Sequence, residues 1–180
     1  MTRSFGVKPG RVTLNNRLGR MLWIGVCAAL FRFSPTICHG WRRGLLRLFG
    51  ASIATGAKAY PKAKIWAPWN LTMEAHSCLA NDVDCYNVAP IRIGAYATVS
   101  QYSYLCSASH DYRDAAMPLV AAQIVVGPRA WVAADVFVGP GVLIGEGAVV
   151  GARSTVIGDV SPWTVVAGSP VRTLGARPPF

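Results

Sequence analysis

A chain of 180 residues can hold one domain with a buried core plus an appendage. Eighteen Gly, twelve Pro and only 14% charged residues suit short strands and tight corners and argue against a helical bundle. The formal net charge of +10 is concentrated: residues 1–50 hold nine Arg or Lys and no Asp or Glu, whereas the remainder, with nine basic and eight acidic side chains, is close to neutral. The five cysteines (Cys27, Cys38, Cys78, Cys85, Cys106) are odd in number and lack CxxC spacing, which excludes a disulfide framework and a cysteine zinc site and fits a reducing, cytoplasmic compartment.

Residues 1–12 are expected to be a disordered lead. Over residues 14–33 the apolar side chains Leu14, Leu18, Met21, Leu22, Ala29 and Phe33 recur at about the spacing of one helical face. Arg17, Arg20 and Arg32 project in an arc on the other side, and Asn15 or Asn16 is placed to cap the start. A second short helix is expected over residues 41–49, ended by Gly50. This basic, amphipathic, Trp-containing segment, residues 1–50, suits the surface of an anionic membrane such as the inner membrane. Packing of both helices on the rest of the chain or on a neighbouring subunit is the other reading, and the two are compatible. The longest uncharged run of this segment, residues 21–31, is too short to cross a bilayer. A basic segment without a recognisable reading motif does not point to nucleic acid.

From residue 51 a six-residue beat takes over. Its clearest stretch runs Val126-Gly127-Pro128-Arg129-Ala130-Trp131, Val132-Ala133-Ala134-Asp135-Val136-Phe137, Val138-Gly139-Pro140-Gly141-Val142-Leu143, Ile144-Gly145-Glu146-Gly147-Ala148-Val149 and Val150-Gly151-Ala152-Arg153-Ser154-Thr155. An aliphatic residue opens each hexad, and a small residue or Val sits four places on. The same beat appears at Ile53, Ile93 and Val99. Such a period is the signature of a parallel β-helix that buries one aliphatic residue per hexad. The beat is less regular over residues 82–90 and breaks between His110 and about Ile124, where Asp111-Tyr112-Arg113-Asp114 follows no hexad and predicts a loop protruding from the coil. Three units follow: a helical segment over residues 1–50, a coil over residues 51–168, and a turn-rich tail over residues 169–180.

The hexads, the loop opened by Ser109-His110-Asp111-Tyr112 and the closing Trp163-Thr164-Val165-Val166-Ala167-Gly168-Ser169-Pro170 together resemble the hexapeptide-repeat acyltransferases. Trp41-Arg42-Arg43-Gly44-Leu45-Leu46-Arg47-Leu48-Phe49-Gly50 and Ala67-Pro68-Trp69-Asn70-Leu71 resemble, within them, the colanic acid biosynthesis acetyltransferase subgroup. The resemblance implies a mainly β fold, a left-handed parallel β-helix assembled as a homotrimer with active sites between subunits. That hand is an exception to the right-handed crossover rule. It also implies acetyl-CoA as co-substrate, no metal, and a sugar or lipid-linked glycan acceptor in exopolysaccharide synthesis. Another small acceptor (serine or an antibiotic) and a non-catalytic scaffold are the alternative readings.

His110 matches the family's catalytic histidine: moving an acyl group from a thioester to a hydroxyl needs a base, and an imidazole suits it. Asp111, Asp82, Asp84 or a backbone carbonyl would orient it. Asn87 corresponds to a substrate-binding asparagine of the family. Cofactor binding is assigned by family match to Trp131 as a wall near the thioester, to the backbones of Ala134 and Ala152 for the pantetheine arm, and to Ser169, Pro170 and Arg172 at the nucleotide end. Cys106, four residues before His110, reads as packing and not as an acyl-carrying nucleophile. His39 and His76 read as structural. With only His76 and His110 in the coil, a three-histidine zinc site is not expected.

Overall fold

The computed structural model describes residues 8–9 and 14–180. The residues that open the hexads, Ile53, Ile93, Val99, Val126, Val132, Val138, Ile144 and Val150, are all at most 5% exposed. So are the residues four places on, among them Ala57, Ala97, Ala130, Val136, Val142 and Ala148. Two inward positions in six leave room only for strands of two or three residues between corners, and the chain winds as a left-handed parallel β-helix of three sheets. Sheet I stacks Ser52–Ile53, Leu71–Met73, Ile91–Ile93, Ile124–Val126 and Leu143–Ile144. Sheet II stacks Lys58–Ala59, Cys78–Leu79, Thr98–Val99, Trp131–Val132, Val149–Val150 and Thr164–Gly168, closed by the antiparallel Val171–Ala176. Sheet III stacks Lys64–Ile65, Asp84–Tyr86, Tyr104–Cys106, Phe137–Val138 and Thr155–Val156.

Each corner imposes its own chemistry. Where sheet I turns into sheet II, the third residue after the buried aliphatic adopts positive φ in every turn: Gly56, His76, Tyr96, Arg129, Gly147 and Trp163. Four of these are not glycine, yet the conformation is held because the backbone N–H of the corner residue reaches the preceding turn, as in Tyr96 to the Ala75 carbonyl (2.9 Å) and Arg129 to that of Ala95 (2.8 Å). Glycine is required just ahead of this corner: a Cβ on Gly127 would lie 2.7 Å from the Glu146 backbone nitrogen in the next turn.

The corner from sheet III to sheet I departs from the beat. Six residues separate Val138 from Ile144, but eight separate Ile65 from Met73 and Cys85 from Ile93, and twenty-one separate Leu105 from Val126. The irregularity expected over residues 82–90 is therefore narrower: Val83 and Cys85 are buried in register and only residues beyond Cys85 bulge. Every insertion in the coil emerges from this one corner. The longest forms an antiparallel hairpin, Ala108–His110 against Leu119–Ala121, to which Lys8–Pro9 adds a third strand. Apart from those two residues, the lead expected over residues 1–12 lies outside the described residues.

Two helices precede the coil: α1, Leu14–Val26, continued by a π-helical turn over Cys27–Phe31, and α2, His39–Leu48. The apolar stripe of α1 faces away from the coil. Trp23 is the side chain that α1 buries, its indole Nε1–H donating to the Ile65 carbonyl (2.7 Å) and its ring packed on Phe31 and Phe49. Leu14, Leu18, Met21 and Leu22 face solvent instead. Asn15 and Asn16 lie inside the helix, so the capping position falls outside the described residues. α2 lies on the first turn of the coil, burying Leu45 and Leu46, and its arginines bond carbonyls there: Arg42 to Ala59, Arg43 to Ala57, Arg47 to Ile53.

Candidate active site

His110 ends its strand at the mouth of the protruding hairpin, exposed to solvent. The loop that follows is held by its own bonds: Asp111 N–H to the Pro118 carbonyl, Asp114 N–H to that of Asp111, Met117 N–H to that of Asp114, and Ala116 N–H to the Asp114 carboxylate. Met117 is thereby fixed at φ +42°, and its carbonyl lies 2.6 Å from His110 Nδ1. A carbonyl only accepts, so Nδ1 carries the proton and Nε2 presents its lone pair outward. The imidazole is thus held in the tautomer a general base needs.

None of the three aspartates considered as orienters does this work. Asp111 binds Arg113 through both carboxylate oxygens (2.9 and 3.1 Å), which holds its carboxyl below the usual range. Asp84 lies 3.8 Å from Lys64, and Asp82 occupies a positive-φ corner. Asn87 is in the same corner as His110 but does not offer its amide to a ligand. It is fully buried, accepting from Ala67 N–H (2.9 Å) and donating to the Ala67 carbonyl (2.6 Å). Its substrate-binding assignment gives way to a structural one: it ties the bulge at residues 66–70 to the bulge one turn on, where Asn70 Nδ2 donates to the Asn87 and Val88 carbonyls. Cys106 is buried, with its thiol 3.1 Å from the Ala108 carbonyl. His76 stacks on Tyr96 (5.0 Å, 19°), and His39 packs against Tyr60 and Arg42.

The residues assigned to the cofactor gather elsewhere, along the corner from sheet II to sheet III. Ala134 and Ala152 occupy it one turn apart, linked by Arg153 N–H to the Ala134 carbonyl (2.9 Å). Their own N–H groups have no partner among the described residues. Ser169 and Pro170 cap the same corner, with Ser169 Oγ 2.8 Å from Thr155 Oγ1, and Arg172 follows, exposed, on the closing strand. Trp131 stands on sheet II with its indole N–H donating to Ser100 Oγ (3.0 Å). It also lines a groove of about 730 Å³ with Tyr96, Arg129, Arg177 and Phe180. The sequence reading missed this groove because Arg177 and Phe180 lie in the tail, beyond the repeat. Sheet III, carrying a ladder of ring contacts through Trp66, Tyr86, Tyr104 and Phe137, separates the cofactor corner from the corner of His110.

No family model matches the chain. It is 42% identical over 162 residues, 90% of this chain and 89% of the relative, to a protein of Escherichia coli K12 named "putative colanic acid biosynthesis acetyltransferase WcaF". Among solved structures it superposes with a TM-score of 0.83 on a hexapeptide-repeat acetyltransferase of Vibrio cholerae complexed with acetyl-CoA, at 25% identity and covering 93% of this chain and 91% of that one. A maltose O-acetyltransferase of Clostridium difficile shares the fold, with a TM-score of 0.75, 19% identity, and 98% and 95% of the two chains covered.

Proposed function

This chain belongs to the family of the colanic acid biosynthesis acetyltransferases, and we propose that it moves the acetyl group of acetyl-CoA onto a hydroxyl of an exopolysaccharide sugar by direct transfer. The observation that carries this reading is the hydrogen bond from His110 Nδ1–H to the Met117 carbonyl, which leaves Nε2 as an outward-facing base. Nε2 takes the acceptor's hydroxyl proton as its oxygen bonds to the thioester carbon. The tetrahedral oxyanion then collapses, the C–S bond breaks, and the imidazolium returns the proton to the departing thiolate.

The pantetheine arm is assigned to the Ala134 and Ala152 corner, with Trp131 as wall and Arg172 against a phosphate of the nucleotide end. His110 and that corner lie on opposite edges of sheet III, which favours a homotrimer whose sites each join the His110 corner of one protomer to the cofactor corner of the next. Among the described residues no helix is long and apolar enough to cross a membrane. The enzyme is read as cytoplasmic, working on a lipid-linked glycan at the inner membrane.

Calorimetric titration with acetyl-CoA, followed by turnover on a panel of mono- and oligosaccharides, tests the reading. Binding near one site per chain is expected for both the native protein and His110→Ala, with kcat of the variant lower by about 10²–10⁴-fold. A folded protein that binds no CoA species, or a variant that turns over at the native rate, would overturn it.

A further inference from the structure

The apolar stripe of α1 has no partner among the described residues. Leu14, Leu18, Met21 and Leu22, at i, i+4, i+7 and i+8, form a stripe opposite the buried Trp23 and are between 56% and 70% exposed. Phe33 (82%), Ile37 (87%) and Leu48 (79%) extend the exposed apolar surface of the same helical unit. Charge says what covers it. The first acidic residue of the chain is Glu74, so residues 1–73, which include the helices and the whole first turn of the coil, carry twelve Arg or Lys and no carboxylate side chain. Arg42, Arg43 and Arg47 are engaged with coil carbonyls, but Arg17 and Arg32 are exposed, and Lys58, Lys62 and Lys64 line the first turn. A second copy of this surface would bring like charges together, whereas an anionic bilayer complements both the stripe and its surround.

We propose that α1 lies in the headgroup region of an anionic bilayer, with Leu14, Leu18, Met21 and Leu22 inserted and Arg17 at the phosphates. Trp23 on the opposite face then fixes the coil above the membrane, and the first turn of the coil becomes its membrane-proximal end. This surface deepens the reading that the acceptor is a lipid-linked glycan.

The test is co-sedimentation of the full chain with vesicles of phosphatidylglycerol and phosphatidylcholine, against pure phosphatidylcholine. The native protein and Ile157→Glu, an exposed apolar residue at the far end of the coil, are expected to bind the anionic vesicles. Leu18→Glu with Met21→Glu is expected to bind about tenfold less or weaker while still titrating acetyl-CoA. Should that pair lose acetyl-CoA binding, Leu18→Ser with Met21→Ser replaces it. Native protein that stays in the supernatant, or a doubly substituted protein that partitions like the native one, would overturn the proposal. A change of oligomeric mass in light scattering without vesicle binding would overturn it too, by making the stripe a subunit contact. Acetyl-CoA affinity in the same samples reports on the acetyltransfer reading separately, so either can fall alone.

Discussion

Arg42 is a fully buried cation, and none of its contacts is a carboxylate. Its guanidinium donates to the Ala59, Pro35 and Thr36 carbonyls, to Ser34 Oγ and to His39 Nδ1. Because Arg42 only donates, Nδ1 of His39 must accept, and the imidazole is neutral. Burial first and the Arg42 charge second lower its pKa from the ordinary 6.5. A depressed cation pKa means that the unfolded chain binds the proton more readily. The stability His39 contributes is therefore present above about pH 6.5 and is lost as pH falls through the lower folded value. Urea midpoints at pH 7.5 and 5.5 should fall further for the native protein than for His39→Gln, whose amide oxygen keeps the Arg42 contact without titrating. Equal falls would remove His39 as the source. At this scale the sequence was informative about identity and poor about partners. His110 stood out where the hexads stop, but its orienting group is a carbonyl seven residues on, aimed by a positive φ that no motif encodes. Asn87 looked like a ligand for the same reason: a residue type does not reveal that a backbone has already engaged its amide.

At the scale of elements, the hexads were read correctly because burial repeats with them, and α1 was left with two readings because amphipathicity does not say which face meets protein. One Trp, filling the space between Ile65, Phe31 and Phe49, outweighs a stripe of four aliphatics that finds no cavity to fill. The hairpin bearing His110 shows a similar limit. Lys8 and Pro9 pair with Ala121 and Val120, a long-range contact hidden inside what reads as a leader. Proline is tolerated there because the added strand is an edge. A two-stranded hairpin in water is marginal, and the third strand stabilises the Leu119–Ala121 side that helps hold the His110 loop. Deleting residues 1–13 should speed amide exchange over residues 108–121 by about tenfold or more, with no comparable change in the coil at Val132 or Val150. Unchanged protection of the hairpin would show that the added strand contributes nothing to it.

At the scale of the molecule, the three corners divide the labour. The corner from sheet I to sheet II is uniform and carries a ladder of stacked positive-φ residues. The corner from sheet II to sheet III stays regular, and its small residues, Ala134, Ala152 and Gly168, keep a long edge free of bulk. The corner from sheet III to sheet I takes every insertion, His110 among them. The proposed base on one edge and the proposed cofactor edge on another suit a closed ring of copies, in which the two edges meet only between neighbours. That arrangement predicts complementation. Chains with His110→Ala keep the cofactor edge, and chains with Ala152→Trp keep the base but fill the edge with an indole. Each should be inactive alone. Co-expressed with different tags and purified through both, the mixed trimer pairs an intact base with an intact edge at one of its three interfaces, so turnover should recover to about a third of native. If each site lay within one chain, no mixed oligomer would contain a whole one, and activity would stay at the level of the inactive parents.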